Sequence, residues 1–456
     1  MSKRTEKDSM GELEVPMDAL WAAQTQRAVN NFPISNIPMP YDMIKSIALI
    51  KLCAAKANYS LGILNNELAD AITSAAEQII NNDYSKEFPV DIFQTGSGTS
   101  TNMNCNEVIA NLAKKNSGLE VHPNDHINMS QSSNDVIPSA IHISSSLAVK
   151  NTLIPALEHL SKTLKEKGNS LKDITKTGRT HLTDALPITF KQELDTFAEQ
   201  IDLGIDRVKS CLPRLHAIAL GGTAVGTGVN THPDFSKTIT ELLSKETGIE
   251  FSPANSLFEK ISSQDTALEL SGQLRVVATS MFKIANDMRM MNSGPLTGLA
   301  EINLPTVQPG SSIMPGKINP VIPESICQIA AQVTGNDATI NFGASSGNFQ
   351  LNVMLPVIAY NLLQSINIIS SGAIVLADKA IKDFTVNKEH IEENLYKNPI
   401  LVTALNRIIG YNEGAKIAKR AYEEKRSILK IALEMTDLSE TELKEILSPY
   451  ALTKTS

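Results

Sequence analysis

Residues 194–215, LDTFAEQIDLGIDRVKSCLPRL, place Leu194, Phe197, Ile201, Ile205, Val208, Leu212 and Leu215 at steps of three or four. That spacing keeps all of them on one side of a coil with 3.6 residues per turn, so the stretch predicts a long amphipathic helix with one buried face. The period recurs on both sides. Leu153, Leu157, Leu160, Leu164 and Leu171 carry it earlier, Val277, Met281, Ile284, Met288 and Met291 carry it later, and 323–335 and 351–377 add two further windows. Helices of about two dozen residues exceed the globular mean and pack as bundles.

The predicted fold class is therefore all-α. A long central helix bundle over 136–390 is flanked by a mainly helical N-terminal domain, 1–135, and a small C-terminal helical domain, 391–456. Within the first domain, residues 1–40 hold Pro16, Pro33, Pro38 and Pro40 and read as an extended lead-in with one short turn near 18–27. Two amphipathic helices broken near Gly62 follow over 41–82, and the tail shows short helical fragments at 415–424 and 439–447. With Ile218, Ala219, Leu220, Val276 and Ile284 the apolar faces exceed what one subunit would bury, which predicts an oligomer in which bundles pack on bundles.

Composition removes several function classes. Forty-one basic against 49 acidic residues give a formal charge of −8, and no basic stripe interleaved with aromatics argues for nucleic acid. Cys53, Cys105, Cys211 and Cys327 are scattered, without the paired spacing of a zinc site, an iron–sulfur cluster or a disulfide framework. No metal is expected. The N-terminus lacks the apolar run of a signal peptide and no stretch reads as a membrane span, so a cytoplasmic location is expected.

Four polar knots interrupt the helical pattern. They are QTGSGTSTNMNCN at 94–106, HPND at 122–125 with SQSSND at 130–135, GRTHLTDA at 178–185, and GSSIMPGKINP at 310–320. Taken singly, each also fits a helix cap or a turn, because Ser, Thr and Asn satisfy helix N-termini. Four of them, rich in hydroxyls and amides and poor in carboxylates, make that explanation weaker. The last resembles a phosphate loop at a glance, but five residues separate Gly310 from Gly316 and Ile318 stands where a magnesium-binding hydroxyl would be. What the knots supply together is donors for a substrate with more than one carboxylate: Lys317, Asn319, Asn134, Thr99, Thr180 and backbone N–H groups. Ser311 and His181 could move protons.

GSSIMPGKINP resembles the signature of the fumarase/aspartase superfamily, and TGSGTSTNMN, SQSSND, GRTHLTDA, GGTAVGTGVNTHP and SGNFQLNV resemble the class II fumarases. The resemblance runs over essentially the whole chain. Aspartases are similar but carry Gln and Ala where this sequence has His181 and Gly316, which favours water over ammonia as the added group. An aspartate ammonia-lyase is the alternative within the superfamily, and a non-catalytic protein on a lyase scaffold is the alternative outside it. The resemblance implies reversible hydration of fumarate to L-malate by a homotetramer with a multi-helix core and active sites shared between three subunits, with no metal or organic cofactor.

It also implies roles. Ser311 is the base at C3 of malate, His181 holds and protonates the departing water with support from Glu324, and Lys317 and Asn319 clamp a carboxylate as it becomes an aci-carboxylate. Ser97, Thr99, Ser132, Ser133, Asn134, Thr180 and Ser312 bind the other substrate oxygens. His122, Pro123, Asn124 and Asp125 match a second anion site. Two departures touch that site or its surroundings: Leu296 stands where the family often has Arg, and Leu119 and Glu120 stand where it has a basic residue.

Overall fold

The structure is a computed structural model that describes residues 2–454. It is all-α in class, with 17 α-helices among the described residues and strands confined to four two-stranded ladders. The stripe at 194–215 lies in the helix Phe190–Leu215. Its predicted face is the buried one, apart from a half-buried Leu212. The other windows fall in helices Ile154–Ser170, Asp265–Met291, Val321–Ala344 and Leu355–Leu376.

Two compact units divide the chain. The first comprises Met1–Pro155, Asp206–Val276 and Ala331–Ser370, and the second comprises Ala156–Ile205, Val277–Ala330 and Ser371–Ser456. In the first unit, helices Tyr41–Ser60 and Asn66–Asn81 pack through Met43, Ile44, Ile47, Ile72 and Ile79, all buried. The break between them is closed by Asn65, whose side chain accepts the Leu68 N–H at 2.9 Å as an N-cap. Helices Thr99–Ser117 and Ser133–Ala148 complete this core with Val108, Ile109, Ile137 and Ile141.

The lead-in differs from its expectation. Lys3–Asp8 and Gly11–Pro16 form an antiparallel hairpin, and Ala23–Asn31 is a helix. Two arginines organise this segment. Arg4 donates to the carbonyls of Pro16, Ala19 and Trp21, and Arg27 holds the Asp8 carboxylate through Nε at 2.7 Å and a terminal nitrogen at 2.9 Å. Lys3–Asp8 is polar throughout and Gly11–Pro16 offers only Leu13 and Val15 as apolar positions, too short an alternation to reveal the pairing.

In the second unit, residues 399–447 gather a hydrophobic cluster of their own around Leu405, Ile417, Ile431 and Leu443. The knot at 178–185 is part of a hairpin, Thr175–Thr180 with Thr183–Thr189.

Two further expectations change. Ile218, Ala219, Leu220 and Ile284 are buried within the chain, and only Val276 of that group is exposed. The exposed apolar side chains of the long helices are instead Leu203, Val276, Phe282, Phe342 and Ile374. One helical stretch, Leu355–Ile381, is long and apolar enough to cross a membrane by length and composition, and 61% of its most apolar window is buried inside the protein, as befits a core helix.

Candidate active site

The first unit holds two helix N-termini dressed with hydroxyls. Gly98, at φ 71°, takes the left-handed turn that starts helix Thr99–Ser117, and the Ser97 and Thr99 hydroxyls lie 2.9 Å apart across it. Gly96 approaches Val353 so closely that a Cβ would stand 1.9 Å from its carbonyl oxygen. Ser132 caps helix Ser133–Ala148 in a capping box: its hydroxyl accepts the Asn134 N–H at 3.2 Å while Asp135 accepts the Ser132 N–H at 2.8 Å. Asn102 joins the two ends by donating to the Ser133 hydroxyl at 3.0 Å. Ser97, Thr99, Ser132, Ser133 and Asn134 are thus brought together on two positive helix ends, an arrangement suited to carboxylate oxygens.

Two buried ionisable groups support these ends. Asp135 also accepts the N–H groups of Gly221 and Thr223, at 3.0 and 2.9 Å, and so ties the SSND knot to the glycine-rich turn. Burial pushes its carboxyl up to about 6, against the opposing pull of those N–H donors and of Lys51. Lys51 is fully buried and donates to Asn128 Oδ1 at 2.9 Å and Gln131 Oε1 at 3.0 Å. Burial lowers its ammonium to about 7. Sequence reasoning missed Lys51, although its place four and seven residues after Ile47 and Ile44, on the apolar face, was a visible signal.

His122 Nδ1 accepts the N–H groups of Asn124 and Asp125, at 3.3 and 3.1 Å, inside its own turn. His122, Pro123 and Asn124 line a cavity of about 530 Å³ shared with Glu6, Lys7, Asp8 and Glu107, and Glu120 is turned to Lys114 at 2.7 Å. This lining carries more negative than positive side chains.

The second unit holds the remaining candidates. Thr180 and Thr183 close the hairpin, leaving His181 and Leu182 as a two-residue turn with φ of 57° and 59°. That is the geometry of a type I′ turn, normally made by Asn and Gly, and each left-handed non-glycine residue costs about 1–2 kcal/mol. His181 therefore sits exposed at the tip of a strained turn.

In the loop 310–320, Gly310 N–H donates to the Lys317 carbonyl at 2.9 Å and Asn319 Nδ2 donates to the Gly310 carbonyl at 2.5 Å, so the segment closes on itself. Within it the Ser311 hydroxyl accepts two backbone N–H groups, from Ile313 at 3.2 Å and Met314 at 3.1 Å. Glu324 stands in the first turn of helix Val321–Ala344. Among the described residues, the side chains of Thr180, His181, Ser312, Lys317 and Glu324 have no hydrogen bond or ion pair, and none joins His181 to Glu324. No group of three or more potential metal ligands occurs among the described residues.

Long helices present hydroxyls, amides and the lysine Lys317 at their ends and loops, and a family model described as Lyase matches residues 11–335, which makes the chain a helical lyase. A second, described as Fumarase C C-terminus, matches residues 401–454. The class II fumarate hydratase of Xylella fastidiosa (strain Temecula1) is 53% identical over 99% of this chain and 95% of its own, and the class II 2 enzyme of Pseudomonas aeruginosa is 53% identical over 99% and 98%. The crystal structure of a class II fumarase from Schistosoma mansoni superposes with a TM-score of 0.96 at 37% identity, covering 99% of each chain. This chain belongs to the class II fumarate hydratase family.

Proposed function

We propose that the protein catalyses the reversible hydration of fumarate to L-malate. The observation that carries the reading is the Ser311 hydroxyl, held by two backbone N–H groups in a loop that also bears an unpartnered Lys317. A serine is a poor base at its ordinary pKa, and N–H donors aimed at its oxygen, with a nearby ammonium, favour the alkoxide. The alkoxide takes the C3 proton of malate. Charge then moves into the adjacent carboxylate, where Lys317 and Asn319 stabilise the aci-carboxylate. His181, supported by Glu324, protonates the C2 hydroxyl as it leaves as water, and Thr180, Ser312, Ser97, Thr99, Ser132, Ser133 and Asn134 hold the remaining substrate oxygens. His122, Pro123, Asn124 and Asp125 form a second anion site.

The assembly proposed is a homotetramer with each site shared among three subunits. The exposed Leu203, Val276, Phe282, Phe342 and Ile374 on the long helices support a bundle-on-bundle core. We assign the enzyme to the cytoplasm and the tricarboxylic acid cycle, and retain the chain division 1–135, 136–390 and 391–456.

The test follows the fumarate absorbance band after adding purified protein, with Ser311→Ala and His181→Asn alongside. Each variant should lose about 10²–10⁴ of kcat. Full activity in both overturns the residue roles, and turnover of aspartate in place of fumarate overturns the reaction.

A further inference from the structure

The hairpin that carries His181 and the segment that leads to Ser311 meet at one carboxylate. Glu301 lies by its backbone in the segment that precedes the 310–320 loop: its N–H donates to the Met291 carbonyl at 2.8 Å and its carbonyl accepts the Asn387 N–H at 3.0 Å. Its side chain belongs to the hairpin. Both oxygens accept from the Arg179 guanidinium, in a two-pronged bond, and one of them lies 2.8 Å from Lys176 Nζ. Lys176 is fully buried, bonded also to Glu193 at 2.8 Å and stacked over the Phe190 ring, so two cations and two carboxylates balance inside the unit.

Arg179 stands two residues before His181, beside a bulge between Thr177 and Arg179. The turn beyond it is strained by two left-handed non-glycine residues, and such a turn persists only where its base is held. A planar fork matched to a carboxylate fixes direction as well as distance, which a point charge does not.

We propose that Arg179 is a positioning residue for His181, acting through its two-pronged bond to Glu301, which anchors the base of the strained hairpin tip to the segment 300–303. This rests on the reading of His181 given above. Arg179 itself touches no substrate in this account. It holds the tip in its reactive placement.

The test is Arg179→Lys, which keeps the charge balance and removes the fork, assayed in the full-length enzyme with fumarate, alone and combined with His181→Asn. The expected result is a fall in kcat of about 10- to 100-fold, the scale of a misplacement of about 1 Å. KM should stay within about twofold, because the carboxylate-binding groups of the first unit are untouched. The thermal midpoint should stay within about 2 °C. In the His181→Asn background the same change should cost nothing more, since a positioning residue acts through the group it positions. An unchanged kcat in Arg179→Lys, or an equal loss with and without His181, overturns the inference while leaving the role of His181 intact. Full activity of His181→Asn overturns that role and the inference with it. Should Arg179→Lys lose its fold, Glu301→Gln, which keeps the shape of the acceptor, carries the same comparison.

Discussion

Replacing Lys51 by Met exchanges a buried ammonium for an apolar chain of similar length, and its effect on stability should change sign with pH. Burial, the dominant cause, lowers the lysine to about 7 from an ordinary 10.5, against weaker opposing pulls from Cys105 and Asp135. Above pH 10.5 the amine is neutral in both folded and unfolded chains and the shift has no effect. As the pH falls the unfolded chain takes up a proton that the folded chain refuses, which removes about 1.4 kcal/mol per pH unit until the folded amine also charges near pH 7. The whole window is worth about 5 kcal/mol. Met is exempt from this loss, but leaves Gln131 Oε1 without the donor that Lys51 supplies at 3.0 Å, a cost of about 1–3 kcal/mol at every pH. Lys51→Met should therefore be the less stable protein at pH 10.5 and the more stable one at pH 7. At about 1 kcal/mol per °C for a chain of this length, the difference in thermal midpoint should swing by about 5 °C across the window. Cys105, raised by burial to about 12, keeps its proton and Asp135, near 6, stays ionised throughout, so neither blurs the comparison. Paired thermal melts at four pH values suffice. A midpoint difference that is flat between pH 7 and 10.5 would refute the reasoning.

Three other outcomes follow from the same structure. His142, buried and bonded to the Ala217 carbonyl at 3.1 Å, is held down to about 3 by burial and then by the Lys260 charge. It contributes stability above pH 6.5 that is lost as the pH falls towards 3, at about 1.4 kcal/mol per unit, so His142→Asn should shift the acid-unfolding midpoint seen by circular dichroism to lower pH. Gly310→Ala puts a Cβ 2.3 Å from the Lys317 carbonyl oxygen in an exposed loop, and should cut kcat by about tenfold or more with little change in melting. Because the charged side chains that line the cavity beside His122 are mainly acidic, His122→Ala should leave kcat and KM for fumarate within about twofold.

The parts of this molecule legible in its sequence are those whose signal is local. Stripes such as Leu194, Phe197 and Ile201 repeat every turn, so the long helices could be read directly, and the polar knots stood out because they broke that rhythm. The hairpin at 175–189 could not be read this way. Its turn is His181-Leu182 rather than Asn-Gly, its strands lack alternation, and its stabilising partner Glu301 lies 122 residues beyond Arg179. The same distance hid the supports of the first unit: Lys51 meets Asn128 77 residues later, and Asp135 reaches Thr223 after 88. The candidate site residues were visible. What holds them in place was encoded in pairs too far apart for a window to see.

One such pair bears on how the chain comes to be folded at all. The first amides of helix Ala23–Asn31 have no cap of their own, and Ala22, Gln24 and Thr25 instead donate their N–H groups to the buried carboxylate of Glu107 at 2.9 to 3.1 Å. Glu107 follows Thr25 by 82 residues, so during synthesis at about 5–20 residues per second these amides wait about 4–16 s for their acceptor to be made. A nine-residue helix without a cap of its own is marginal in water until that acceptor arrives. Its completion is timed by the helix Thr99–Ser117, so the first helix in the chain is not the first to be finished.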